Sequence, residues 1–178
     1  MNARLLFAAP LALLAFVASP AATPASPDRF TAMRRLDTWV GEWRGSGWSV
    51  DATGRRTEFS LTENVRSRVG GSVLLLEGHG TPKGAAEPEA VTHDGLALVW
   101  FDEHAARYRW IGHELRNGAI EPEVQPIDGG LQWTLPSAGA TLRFTIRVDE
   151  HHWHEVGELS ADGKAWSPFM EMELERGG

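Results

Sequence analysis

The chain has no cysteine, two lysines (Lys83 and Lys164) and one tyrosine (Tyr108) in 178 residues. Without cysteine there is no disulfide framework, no thiolate zinc site and no lipid-modified N-terminal Cys. A formal charge of −7 with so few lysines leaves no basic face for nucleic acid or anionic lipid. Long apolar runs are scarce too. The one present, Leu5 to Val17, has 13 residues and contains Pro10. A spanning helix needs about 20 apolar residues, so no membrane span is expected. A G-x-S-x-G nucleophile elbow is missing, and so is the zinc-protease H-E-x-x-H: His154-Glu155-Val156-Gly157-Glu158 ends in Glu where the second His would stand.

The apolar run has the features of a secretory signal. Arg4 precedes it, and Ala18-Ser19-Pro20-Ala21-Ala22 supplies small residues for cleavage after Ala21 or Ala22. The expected organisation is a signal peptide over 1–21, a leader and short helix over 22–40, and one domain over 41–178. Losing residues 1–21 removes one arginine and no acid, so the charge goes from −7 to −8. The expected location is the periplasm or the exterior. In the leader, Ser26-Pro27-Asp28 reads as a helix start, with Ser26 as cap and Pro27 in the first turn. Phe30, Met33 and Leu36 then recur at helical spacing to about Thr38.

From Gly41 onward, short alternating runs are separated by Gly, Asp-Gly and Asn-Gly signals. About ten strands are predicted, near 42–50, 57–66, 72–79, 93–101, 107–115, 119–125, 131–135, 140–148, 151–159 and 166–175. The fold class is all-β: a single antiparallel up-and-down barrel with a short N-terminal helix. Glu77-Gly78-His79-Gly80 is expected to bend the third strand into the loop Gly80 to Glu89.

Two-residue turns fix which side chains share a face. Asn117-Gly118 would pair Leu115 with Ile120 and His113 with Pro122. Asp128-Gly129 would pair Val124 with Trp133. Asp149-Glu150 would pair Phe144 with Glu155, and Asp162-Gly163 would pair Glu155 with Met170 and Trp153 with Met172. One face then collects Ile111, Leu115, Val124, Trp133, Phe144, Trp153, Met170 and Met172 as interior, with Trp110 outside.

The candidate binding residues follow from that face: His113, Trp133, Trp153, Glu155, Met170 and Met172. His113 and Glu155 are titratable groups on an apolar face, where they must be paired, neutral or functional. They could fix the polar end of a ligand, or act as acid and base in an isomerase or hydrolase. A fully packed barrel acting as an interaction protein is the remaining alternative. His151-His152-Trp153-His154 is the conspicuous histidine cluster. The register puts His152 and His154 on the solvent face beside Glu171 and Glu173, so no metal site is expected, although His152, His154 and Glu171 share a side.

Gly41-Glu42-Trp43-Arg44-Gly45-Ser46-Gly47-Trp48, following a short helix, resembles the opening of calycin barrels, in which a G-x-W motif starts the first strand. The resemblance implies that Arg176, near the end of the last strand, stacks on Trp43 and closes one barrel end. Gly95 to Asp102, Asp162-Gly163-Lys164 and Arg176 are similar to the layout of bacterial lipocalin-like domains of unknown function. The segment as G-x-W-x-G-x-G also resembles nitrobindin-type haem barrels. Those ligate haem through a His on the final strand, and Trp166 to Arg176 has none, so haem and other cofactors are not expected. The resemblance implies an interior that holds a small apolar or aromatic ligand.

Overall fold

The structure, a computed structural model, describes residues 26–84 and 91–177. The signal segment with its cleavage site and part of the Gly80 to Glu89 loop lie outside the described residues. Helix α1 (Arg29–Met33) tightens into a 3-10 segment over Arg34–Trp39. Its cap is Asp28 rather than Ser26. Asp28 has extended backbone, and its carboxylate accepts from Thr31 N at 2.9 Å and Thr31 Oγ1 at 2.7 Å. No helix among the described residues is long and apolar enough to cross a membrane.

Eleven strands follow: β1 (Gly41–Val50), β2 (Arg56–Arg68), β3 (Val73–Pro82), β4 (His93–Asp102), β5 (Arg107–Glu114), β6 (Gly118–Ile120), β7 (Glu123–Ile127), β8 (Gly130–Ser137), β9 (Ala140–Val148), β10 (His152–Ser160) and β11 (Ser167–Arg176). They form one antiparallel sheet in meander order, with β1 beside β11 and with β6 and β7 as its two edges. The expected strand over 119–125 is therefore two. Pro122 carries no N–H for a ladder. Before it the chain pairs only with β5, and after it only with β8. The sheet curls into a half-barrel whose ladder ends at this break, where Arg109 of β5 pairs with Glu121.

The turns decide the interior. Asp128-Gly129 is the expected two-residue turn, and Val124 opposes Trp133. Asp149-Glu150 is not the turn. Asp149 N donates to His152 O at 3.0 Å, so the turn is Glu150-His151. Each partner moves by two positions, which keeps every side chain on its expected face: Glu155 opposes Ile146. At β10–β11 a bulge between Gly157 and Glu158 likewise leaves Glu155 opposite Met172 and Trp153 opposite Leu174.

Asn117-Gly118 differs in kind. Glu114 opposes Gly118, so three residues turn the chain, with Gly118 at φ 68°. The turn is Leu115-Arg116-Asn117, and Gly118 opens β6 with a left-handed backbone that few other residues adopt. The odd length flips β5. Tyr108, Trp110, Gly112 and Glu114 face inward, whereas Ile111 and Leu115 are 42% and 65% exposed and His113 is exposed with them. The expected interior placement of His113, Ile111 and Leu115 is corrected, as is the outward placement of Trp110. The third strand does not bend at Gly80 but runs on to Pro82.

One end of the half-barrel is plugged by the helix. Trp39, Trp43 and Trp153 are at most 1% exposed, with the Trp153 ring centroid 5.0 Å from Trp39 and 5.9 Å from Trp43. Each buried indole contributes roughly 5 kcal/mol of gross hydrophobic stabilisation at about 25 cal/mol per Å². Hydrogen bonds tie the helix to the strands as well. Trp43 Nε1 donates to Trp39 O at 2.8 Å, and Tyr108 Oη donates to Ala32 O at 2.7 Å.

Candidate functional site

Beyond the plug, four titratable side chains face inward from otherwise apolar strands. Glu63 (β2), Gly78 (β3), Gly95 (β4) and Glu114 (β5) are successive opposed partners across four strands. The two glycines make room for side chains from neighbouring strands. A Cβ on Gly78 would collide with Glu63 Oε1 and stand 2.9 Å from His93 Nε2, and one on Gly95 would stand 3.4 Å from His93 Cε1. The Glu63 carboxyl thus occupies space that glycine clears, and the His93 ring lies over both glycines. Across the lumen stands Glu155 on β10, 8% exposed. Its one hydrogen-bond partner among the described residues is Trp153 Nε1, which donates to Oε2 at 3.4 Å.

Burial pushes the Glu155 carboxyl up from the usual 4.5 to about 7; the long bond from Trp153 works against this and the charge of Glu114 adds to it. Burial pushes Glu63 up to about 8, with the charge of Glu155 adding to it. Protein surrounds the Glu63 carboxyl on nearly every side, yet the residue keeps some contact with solvent.

An aromatic wall adjoins the carboxyls. Glu155 is one inward position from Gly157, which opposes Phe144, which opposes Trp133. Trp133 stacks on Phe144 with ring centroids 4.0 Å apart and planes at 13°, and Trp110 lies 6.0 Å from Trp133. Both Trp110 Nε1 and Trp133 Nε1 are buried without an acceptor, as is the Thr92 hydroxyl. Buried donors without partners are rare in folded proteins, because each costs about 1–3 kcal/mol.

Of the six residues expected in the site, Trp133, Glu155, Met170 and Met172 face this lumen. Trp153 faces inward but is held in the plug, offering only its N–H to the lumen. His113 lies on the opposite side of the sheet. Glu63, His93, Glu114 and Trp110 were not expected. Glu63 had a signal, because Thr57, Phe59, Leu61, Glu63 and Val65 alternate along one face and a carboxyl interrupts an apolar series. Trp110 and Glu114 were hidden by the turn length.

The histidine cluster lies on the outer face. His154 Nε2 is 3.1 Å from Glu171 Oε1, and His154, Glu171 and Glu173 place ligand atoms within 4.8 Å of one another. His152 instead faces Asp149 at 3.4 Å. Trp48 Nε1 donates to Glu171 Oε2 at 3.3 Å. The cluster is satisfied by its own contacts. At the plugged end, the Arg176 guanidinium lies 4.1 Å over the Trp43 ring and donates to Thr38 O, Val40 O and Glu150 O at 2.5–2.7 Å. Two recesses lie away from the carboxyls. One of about 310 Å³ sits between the 3-10 segment and the β7–β8 turn, lined by Arg35, Leu36, Tyr108 and Leu131. The other, about 140 Å³, lies at the β6–β7 break.

No protein-family model and no curated protein matches the chain. Among solved structures, Rv2717c from M. tuberculosis matches with a TM-score of 0.60 at 15% identity, covering 85% of this chain and 100% of that one. The S-type phycobiliprotein lyase CPES from Guillardia theta matches with a TM-score of 0.55 at 11% identity, covering 85% of this chain and 98% of that one. Both neighbours are lipocalin-like β-barrels. The fold is lipocalin-like. At these identities the likeness speaks for the fold alone. Within that fold, the inward side chains of β11 above the plug are Met170, Met172 and Leu174, and His93 on β4 is the inward imidazole among the described residues.

Proposed function

We propose that the chain is an exported binding protein whose half-barrel holds a small molecule with a flat apolar body, its polar end among Glu63, Glu155, Trp110 and Trp133. One observation carries this: the inner face of the sheet bears a buried Glu155, a half-buried Glu63 and the buried N–H groups of Trp110 and Trp133, with a single long hydrogen bond among them from the protein. Sites for small molecules pair an apolar wall with a few convergent polar groups. That a neighbour of the same fold is a phycobiliprotein lyase agrees with a barrel that handles small molecules or the proteins that carry them. An acid–base pair of His113 and Glu155 loses its support, since the two side chains point to opposite sides of the sheet.

The neutral fluorophore N-phenyl-1-naphthylamine is expected to bind with one-to-one saturation and to quench tryptophan emission. Trp133→Ala should weaken it about tenfold or more, the equivalent of about 1.4 kcal/mol. Glu171→Ala, on the outer face, should leave it unchanged. Non-saturable binding, or equal effects of the two substitutions, would remove the lumen as the site. For export, the intact mass of protein recovered from the periplasm of an expressing bacterium should lack residues 1–21 or 1–22. Full-length chain confined to the cytoplasm would overturn the export proposal.

A further inference from the structure

We infer that the lumen selects an organic cation: a protonated amine or similar nitrogen base on a flat aromatic body, its charged end between Glu63 and Glu155. This rests on the binding function above and names the ligand's chemistry. The inward face has a one-sided charge. Glu63 comes from β2, Glu114 from β5 and Glu155 from β10. The inward bases are His93 from β4 and Arg176 from β11, and Arg176 is engaged at the plug by three carbonyl oxygens and the Trp43 ring. Strands β1, β3, β8 and β9 bring no titratable side chain to this face.

Among the described residues neither carboxyl has an ion pair. Glu155 has one long bond from Trp153, and the hydrogen bonds and ion pairs of the described residues include none for Glu63. A carboxyl held among protein atoms without a counter-charge stays neutral or takes a cation. An anion entering the same space would meet three acids. The neighbouring wall suits a cation as well, because the faces of Trp133 and Trp110 attract positive charge. The indole N–H groups call for an acceptor, so the body of the ligand should carry a hydroxyl or carbonyl oxygen.

Capture of a cation by a neutral acid displaces a proton. The Glu63 or Glu155 O–H bond breaks, the proton leaves to water, and the carboxylate stays beside the ammonium. Affinity for the cation therefore rises with pH as these acids come within reach of ionisation, with His93 and Glu114 as the other charges facing them.

The test uses the whole purified protein and three probes of one shape: 2-naphthylmethylamine, 2-naphthalenemethanol and 2-naphthoate. Each is titrated by calorimetry and by displacement of N-phenyl-1-naphthylamine. At pH 8 the amine should bind at least tenfold more tightly than the alcohol, and the carboxylate most weakly. At pH 5 the preference for the amine should shrink. In Glu63→Gln/Glu155→Gln it should vanish with alcohol affinity retained, whereas Glu171→Gln should preserve it. Calorimetry in buffers of different ionisation enthalpy should report proton release on amine binding. Equal affinities, tighter binding of naphthoate, or a preference that survives the double substitution would overturn the inference while leaving the binding function standing. If none of the three binds and N-phenyl-1-naphthylamine also fails, both fall together.

Discussion

Replacing Arg176 by alanine should lower the thermal midpoint by on the order of 10 °C. The guanidinium joins three parts of the chain, donating to Thr38 O and Val40 O ahead of β1 and to Glu150 O in the β9–β10 turn, while its plane covers Trp43. Hydrogen bonds from a charged donor contribute about 1.5–3 kcal/mol each, and a cation over a tryptophan face adds about 0.5–2 kcal/mol. These contributions are not additive, and two of the three carbonyls are part-buried. A net loss of about 3–5 kcal/mol is expected, and a domain of this size moves roughly 2–4 °C per kcal/mol. Arg176→Lys should fall between, because an ammonium keeps the charge but loses the planar fork that reaches several carbonyls at once. Calorimetry of the three proteins checks this. A drop below about 3 °C for the alanine variant would show that the plug holds without its clamp.

The second large effect is a loss of stability between about pH 5 and pH 8, the reverse of what exposed carboxylates produce. Glu155 titrates near 7 and Glu63 near 8 in the folded chain, against 4.5 when unfolded. Below 4.5 both states hold these protons. Above it the unfolded chain releases them and the folded chain keeps them, so the unfolded state gains ground as pH rises. The loss levels off once the folded carboxyls ionise, near pH 7 for Glu155 and pH 8 for Glu63. Each group accounts for a few kcal/mol, Glu63 for less than its shift alone implies because solvent reaches it. On the acid side Asp51, held near 2 by bonds from Thr53 and Arg55, works the other way, its contribution fading as pH falls through that value. Maximum stability should therefore lie near pH 4–5, below the usual range of about pH 5–8. Glu63→Gln/Glu155→Gln should flatten the profile above pH 5 and exceed the parent protein at pH 8. Chemical denaturation across this range decides it: a parent profile that rises from pH 5 to 8, or a double variant of equal slope, would place both carboxyls in water.

The meander was legible from turn dipeptides and alternation, because each hairpin is a local event. Two turn positions were misplaced without consequence, since moving a partner by two positions changes the neighbour but not the face. That is why Glu155, Met170 and Met172 face the lumen as expected although their partners differ. The Asn117-Gly118 turn shows the limit. Asn-Gly reads as a two-residue turn, but Asn117 ends a three-residue one and Gly118 begins β6, and the odd length exchanged Ile111 and His113 for Trp110 and Glu114 across the sheet. The Pro122 break was legible in principle, because proline cannot serve a strand paired on both sides. His93 was not, since its face depends on β3, reached across a loop with no turn signal to set the register. Trp110 of β5 meets Trp133 of β8 only through the curl of the sheet, which no local pattern encodes.

The break at Pro122 also bears on how this chain behaves at high concentration. A sheet whose ladder does not close leaves two rows of free N–H and C=O groups, the usual templates for intermolecular strand pairing and aggregation. Here those rows belong to β6 and β7, three and five residues long with Pro122 between them and Pro126 within β7, and to the start of β5 ahead of Gly112, which lies against β7. Edges so short, with proline interrupting their donors, offer an incoming strand almost nothing to extend. The break thus leaves the sheet unclosed while giving a twelfth strand from another molecule little to pair with.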